Sequence, residues 1–306
     1  MQDLYRTKGL MIRNWYEKSG AFALIKNATI YLDEATAPYM CEGLYKLTNI
    51  RYLHLDFFNA KKIDDETFIA ITKQISRLTT LNKLIISAKE MTKISDTSIA
   101  YLCQAIASLP QIVHLTIDLF GCKNLGDHIF KYIEDEFPKM ANLRILSLTF
   151  GTSATVFKNT KLTDLGFFSL AKCIMNLTKL KSFSIDCQGL SKITDHSMLE
   201  FASAISCLKE ISHLNLEFEG CGKITDTTIQ SVASKLLGLS ELTYLTLDFR
   251  GCKVSNVGVS SVADVVVKIP KLKNLNLDFK CDKVDSKGKQ ILNELASKSS
   301  QYRIQY

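Results

Sequence analysis

The stretch Leu239–Lys253, reading LSELTYLTLDFRGCK, recurs in eight copies along the chain, and nothing else constrains the fold as strongly. Within it Leu239, Leu242, Leu245, Leu247 and Phe249 are apolar at spacings of 3, 3, 2 and 2. The wide spacings fit a helix end and a turn; the narrow ones fit a strand that buries every second residue. The equivalent position in the eight copies is Leu53, Leu84, Leu115, Leu146, Phe183, Leu214, Leu245 and Leu275, with steps of 31, 31, 31, 37, 31, 31 and 30 residues. A period held this closely predicts a solenoid, in which each unit buries its apolar face against its neighbours.

Each copy has a second half. After the strand comes a tripeptide such as Ile224-Thr225-Asp226, and apolar residues follow at Ile229, Val232, Leu236 and Leu239. The two preceding units give Ile193, Met198, Phe201, Ile205 and Leu208, and Leu162, Phe167, Leu170, Ile174 and Leu177. These spacings put one apolar stripe on a helix of about four turns. A small residue recurs on that stripe (Cys103, Ala171, Ala202, Ala233, Ala263), as expected where a helix crosses a sheet closely. The third residue of the tripeptide is Asp65, Asp96, Asp127, Asp164, Asp195, Asp226 or Asn256, and the second is often Ser or Thr. One of the two is expected to cap the helix by accepting from its free N–H groups.

The pattern LxxLxLxF, a loop, and then Ile-Thr/Ser-Asp resembles a leucine-rich repeat over about residues 47–296. The long unit is similar to the ribonuclease-inhibitor-like class. The Ile-Thr-Asp and loop cysteines also resemble the repeats of F-box proteins, and the Leu-x-Leu-Asp-Phe strand those expanded in ciliates and other protists. The resemblance implies an α/β horseshoe solenoid with a parallel concave sheet and convex helices. The chain departs from the usual repeat in one respect. The Asn or Cys expected three residues after the strand's last Leu is absent; Cys122, Cys221 and Cys252 come five residues after Ile117, Leu216 and Leu247.

Three segments follow from this reading: an N-terminal cap over 1–46, an eight-strand solenoid over 47–296 and a tail over 297–306. Residues 1–20, with the only Trp (Trp15), read as an amphipathic helix that either covers the open end of the first repeat or docks a partner. Residues 22–32 read as a degenerate first strand and 39–47 as a short helix. The loop 151–161 holds the six extra residues, and Phe157 within it is an apolar side chain that a solvated loop does not need. The tail SSQYRIQY reads as disordered or as an anchor offered to a partner.

Two charge columns run across the repeats. Immediately after the second buried strand residue come Asp56, Ser87, Asp118, Thr149, Asp186, Glu217, Asp248 and Asp278, six of them acidic. Parallel strands lie about 4.8 Å apart. A pair of like charges at that distance repels by about 3 kcal/mol at an effective dielectric of 20, and by under ~1 kcal/mol when fully hydrated. The file therefore costs stability unless cations neutralise it. The second column, just before the tripeptide, is Lys62, Lys93, Lys161, Lys192, Lys223, Lys253 and Lys283, broken by Asn124. Two readings stand. In one, the rim lysines neutralise the acidic file. In the other, the two columns are recognition stripes, for a basic and an acidic partner respectively. Tyr52, His114, His213 and Tyr244 at the strand starts, and Phe58 and Phe120 past the strand ends, add candidate anchors. Phe57, Phe150, Phe218, Phe249 and Phe279, with Leu119 and Cys187, are expected to point inward as a packed spine.

Other chemistry is sparse. The histidines 54, 114, 128, 196 and 213 show no metalloprotease spacing, and there is no phosphate-binding glycine loop and no nucleophile elbow. A uniform carboxylate ladder lacks the two unlike environments that acid–base catalysis needs. Nine cysteines without a CxxC pair fit free thiols in a reducing compartment. The sequons at Asn27 and Asn176 are read as accidental, since no signal peptide is seen. No apolar run is long enough to span a membrane, and a net charge of +7 is mild for this length and gives no case for nucleic acid. The expectation is a non-enzymatic protein-interaction scaffold with no metal or cofactor, built into a multi-subunit complex. Its expected setting is cytoplasmic, and the resemblance implies a cytoskeletal or ciliary assembly. The alternatives are a ubiquitin-ligase substrate receptor and an inhibitor that wraps an enzyme.

Overall fold

The computed structural model describes residues 24–152 and 161–306. The expected helix around Trp15 and the insertion residue Phe157 lie outside them. Ten strands form one parallel sheet in sequential order: β1 (Asn27–Asp33), β2 (Tyr52–Asn59), β3 (Lys83–Ser87), β4 (His114–Asp118), β5 (Ile145–Thr149), β6 (Ser182–Asp186), β7 (His213–Glu217), β8 (Tyr244–Asp248), β9 (Asn274–Asp278) and β10 (Tyr302–Gln305). The α-helices among the described residues are α1 (Ala37–Gly43), α2 (Asp65–Ile75), α3 (Asp96–Ala107), α4 (His128–Glu136), α5 (Asp164–Asn176), α6 (Asp195–Ile205), α7 (Asp226–Leu236), α8 (Asn256–Val266) and α9 (Ser286–Ala296). Every strand is joined to the next through one α-helix, followed by a short 3-10 turn between β1 and β2 and between β4 and β5. This is an open α/β solenoid of the leucine-rich-repeat type.

The copies lie in register. Leu214, Leu245 and Leu275 are neighbours on adjacent strands, as are Leu216, Leu247 and Leu277. All are buried. The helical stripe behind them is buried too: Ile229, Val232, Leu236 and Leu239 are at most 1% exposed. The apolar residues join into one continuous core along the solenoid. The spine is present, with Ala88 in the third strand's copy. Its rings stack near-parallel at the C-terminal end, Phe218 on Phe249 at 5.6 Å and Phe249 on Phe279 at 6.0 Å between centroids. Fully burying each ring contributes about 1.5–3 kcal/mol.

The tail is ordered structure. Tyr302, Arg303, Ile304 and Gln305 pair with Leu275, Asn276, Leu277 and Asp278. Tyr302 and Ile304 pack against the core, which the alternation in YRIQY foreshadows.

Two side-chain ladders tie each repeat to the next. The cysteines carry one. Their thiols donate to a backbone carbonyl in the preceding repeat: Cys122 to Ala88 at 3.0 Å, Cys221 to Cys187 at 3.2 Å, Cys252 to Phe218 at 3.2 Å and Cys281 to Phe249 at 3.1 Å. Burial pushes the thiols of Cys122 and Cys221 up to about 12, so they stay protonated and able to donate. The missing Asn of the usual repeat is thus replaced by a cysteine two residues further on. The residue before Cys122, Cys221 and Cys252 is a glycine of positive φ, and Gly189 holds the same place before Leu190; φ is between 68° and 74° at all four, the region where glycine alone has no Cβ penalty.

The tripeptide carries the other ladder. Thr163, Thr194, Thr225 and Ser255 cap their helices, each accepting from the N–H two residues on at 3.2 Å. The following Asp does not cap its own helix. It accepts from the cap residue of the next repeat. Asp195 takes the Thr225 N–H at 2.9 Å, the Thr225 hydroxyl at 2.6 Å and the Thr228 hydroxyl at 2.5 Å. Asp65, Asp127, Asp164 and Asp226 bind Ser95, Thr163, Thr194 and Ser255 in the same way. Asp96 takes the N–H of Gly126 at 2.6 Å and lies 3.5 Å from the His128 imidazole. Charge-assisted bonds of this kind are worth roughly twice a neutral one, and each carboxylate also sits at a helix N-terminus, where the dipole favours it. Replacing Asp195 by Ala strands the buried Thr228 hydroxyl and takes the acceptor from the half-buried Thr225 hydroxyl and N–H. We expect a loss of about 2–4 kcal/mol in urea unfolding, and a smaller loss for Asp195→Asn, which keeps one acceptor.

Candidate interaction surface

The face of the sheet away from the helices presents every second strand residue. Three files cross it in register. The first runs Tyr52, Lys83, His114, Ile145, Ser182, His213, Tyr244 and Asn274; the third is the acidic file from Asp56 to Asp278. Between them lies a mostly polar file that includes His54, Thr116, Ser184 and Asn215. The structure therefore brings all six acidic residues into one line.

Local geometry explains why Asp is common there. Oδ1 of Asp56, Asp118, Asp186, Asp248 and Asp278 accepts from the N–H two residues on, at 2.9, 3.1, 2.9, 3.1 and 3.2 Å. This is an Asx turn, which ends the strand and starts the loop. Glu217 is one methylene longer and instead takes the Asn215 amide at 2.6 Å.

The cations on the file are not the rim lysines. Arg250, two residues past Asp248, is the main one. Its Nε donates to both Asp248 oxygens at 3.0 Å, and its Nη2 lies 2.6 Å from Asp248 and 2.8 Å from Glu219. It also reaches Asp278, at 3.3 Å. These carboxylates push the guanidinium further up from its ordinary value, Asp248 most of all. Lys89 pairs with Asp118 at 3.0 Å. The seven rim lysines are all exposed, and among the described residues none of them forms an ion pair. Among the described residues the ion pairs on the file come from Lys89 and Arg250, in the column two residues past it, and not from the rim lysines. That column (Lys89, Arg250, Lys280) is visible in the sequence once it is aligned on the spine.

Asp186 has no such cation among the described residues. Burial raises its carboxyl above the usual range, and Glu217, Asp118 and Asp248 add to this. Asp278 is raised for the same first reason, with Asp248 opposing and Arg250 helping ionisation.

The aromatic and histidine candidates are on this face and its margins. His213 and Tyr244 stack at 5.8 Å and 19°, both exposed. Lys83 sits over the Tyr52 ring at 5.4 Å. Phe58 is 60% exposed at the N-terminal end, with Lys61 5.9 Å above it; Phe120 is half-buried. His114 contacts Thr116 at 3.3 Å and His54 contacts Ser87 at 3.0 Å. Burial lowers the pKa of both imidazoles, which keeps them neutral near pH 7. Asn215 and Glu219 are residues of this face that the charge columns alone do not single out. The Oδ1 of Asn215 is buried without a hydrogen-bond partner.

Among the described residues no group of His, Cys, Asp or Glu could hold a metal ion. None of their helices is long and apolar enough to cross a membrane.

No family model matches the chain, and no curated protein does. Solved structures do. The tropomodulin C-terminal domain of Caenorhabditis elegans matches 56% of this chain and 91% of its own length at 16% identity, with a TM-score of 0.40. The yeast Rad7 and Elc1 complex matches 84% of this chain and 76% of its own at 14% identity and 0.34. The mouse RP105/MD-1 complex matches 86% of this chain and 39% of its own at 16% identity and 0.40. Likenesses this distant say nothing about function.

The raised Asp186 carboxyl gives a signed prediction. Its folded-state pKa lies above the unfolded value, so the ionised form penalises folding at neutral pH and the penalty vanishes as pH falls to about 4. Asp186→Asn keeps the Oδ1 acceptor for Gln188. It is expected to raise the melting temperature at pH 7, with the gain fading toward pH 4.

Proposed function

We propose that the chain is a non-enzymatic protein-interaction scaffold and that the concave sheet face receives a basic partner. One observation carries this: the in-register acidic file remains net negative after its own cations are counted. Asp56, Asp186 and Glu217 have no cationic partner among the described residues, and Arg250 alone serves Asp248, Asp278 and Glu219. The stacked His213–Tyr244 pair and the Tyr52 ring flank the file with flat surfaces suited to anchoring. An acidic strip of this kind speeds encounter with a positive partner and rejects a negative one. A fixed place in a larger assembly is the setting we favour, because a solenoid offers a long rigid surface. A cytoskeletal or ciliary assembly is the form suggested by the resemblance of the repeats.

The test separates charge from fold. In the variant Asp118→Asn, Asp186→Asn, Glu217→Gln, Asp278→Asn, the three asparagines keep the Asx-turn acceptors while the charge is removed. Affinity purification from the native source at low salt, compared with wild type, is expected to lose the bound proteins while circular dichroism shows an unchanged fold. Equal recovery by both proteins rules out the concave face as the recognition surface.

A further inference from the structure

The formal charge of the chain is unevenly placed. Residues 250–306 hold eleven Lys and Arg against five Asp and Glu, which accounts for six of the seven net positive charges. Within this end, Lys253, Lys280, Lys283 and Lys287 cluster on the rim. Lys280 and Lys283 lie in the loop after β9, and Lys287 is in the first turn of α9. Lys253 is in the equivalent loop one repeat earlier. The backbone fixes this order: Lys253 bridges to Thr225 and Lys283 to Ser255, so the two loops lie side by side about one strand spacing apart. All four side chains are exposed, and among the described residues none is in an ion pair.

The acidic groups facing the cluster are Asp278, Asp282 and Asp285. Asp278 is engaged by Arg250 at 3.3 Å. Asp285 accepts from the Asn256 amide at 2.7 Å and the Lys287 N–H at 2.8 Å; these bonds hold it ionised, so it offsets part of the lysine charge. Asp282 is exposed in the same loop and, among the described residues, forms no ion pair. The N-terminal rim is different. There Lys61 is paired with Glu90, and Asp64 and Glu66 stand beside Lys62. We propose that the C-terminal rim formed by Lys253, Lys280, Lys283 and Lys287 is a docking surface for an acidic segment of a partner protein. An acidic peptide fits better than nucleic acid. The only ring in the loop 279–289 is Phe279, which is buried in the spine, so the loop itself offers bases no stacking surface; the exposed Tyr306, next after the Gln305 that pairs with Asp278, is held to Asn293 through its hydroxyl.

This surface is separate from the concave face and opposite in sign, so the two stand or fall independently. The probe is a fluorescein-labelled oligoglutamate peptide, followed by anisotropy at low salt. Wild type is expected to bind it, and to release it as ionic strength approaches about 0.15 M. The variant K253Q/K280Q/K283Q/K287Q is expected to bind at least about tenfold more weakly, while K62Q/K93Q binds as wild type and the concave-face variant, which removes the Asp278 charge beside the cluster, binds at least as tightly. The corresponding four Lys→Arg changes are expected to retain binding. No binding by wild type overturns the proposal. So does equal loss in K62Q/K93Q, or a single-stranded oligonucleotide that displaces the peptide at equal concentration. Thermal melts of each variant confirm that the exposed substitutions leave the fold intact.

Discussion

Everything in this solenoid depends on polar groups of one repeat being satisfied by the next. A single strand–loop–helix unit cannot close around its own core, and its loop carries N–H, C=O and hydroxyl groups that would otherwise be buried unpaired. The aspartates at the helix starts and the cysteines after the strands answer that need at two heights in each unit. They differ in character. Asp195 and its equivalents are ionised acceptors set between two helix N-termini, whereas Cys221 and its equivalents are protonated donors kept so by burial. Both act only between neighbours, so they fix the stacking without restricting what each unit shows to solvent.

That division bears on the concave face. An Asp at the strand end serves the fold through its Asx turn, and repeating it across adjacent strands creates a line of like charge as a by-product. The fold absorbs part of the repulsion with Arg250 and Lys89, and leaves the rest at Asp186 and Glu217; the Asp186 carboxyl is raised first by burial, with the neighbouring acids adding to it. A structural origin for the carboxylates and a recognition role for the strip are therefore compatible. The turn requires only an oxygen acceptor, which Asn supplies equally well. Charge is the surplus.

Much of this was legible in the sequence, because the repeat fixes burial by position. The strand leucines, the helical stripe, the inward phenylalanines and the single line of acids all follow from a period-two pattern inside a longer one. The partners of the polar groups did not follow. A Thr-Asp pair at a helix start looks like two candidate caps, and only the proximity of the next repeat assigns the cap to Thr225 and the cross-link to Asp195. Likewise the rim lysines and the acidic file share a repeat but not a direction. Proximity in sequence made them look like counter-ions, while the loop turns Lys253 outward and leaves Arg250 over Asp248. The tail pattern YRIQY alternates as a strand should, yet its role depended on a vacant edge at β9 that sequence alone does not display.

The informative positions for function are those where the repeat is broken without structural need. Asp at the strand end, Gly in the turn and Cys after it recur because the backbone requires them. Glu217 forfeits the Asx turn that Asp would make, Arg250 replaces the uncharged residue found at Phe120 or Gln188, and the rim at Lys280–Lys287 gathers cations with no ion-pair partner among the described residues. Of these only Arg250 also ties neighbouring repeats together, through Glu219 and Asp278. Each alters what the surface offers to another molecule: more negative reach near β7, a gated charge near β8 and a positive end beyond β9. A scaffold built from near-identical units can distinguish partners only through such departures, and in this chain they gather from β7 to the C-terminal rim, which is where the two proposed surfaces lie.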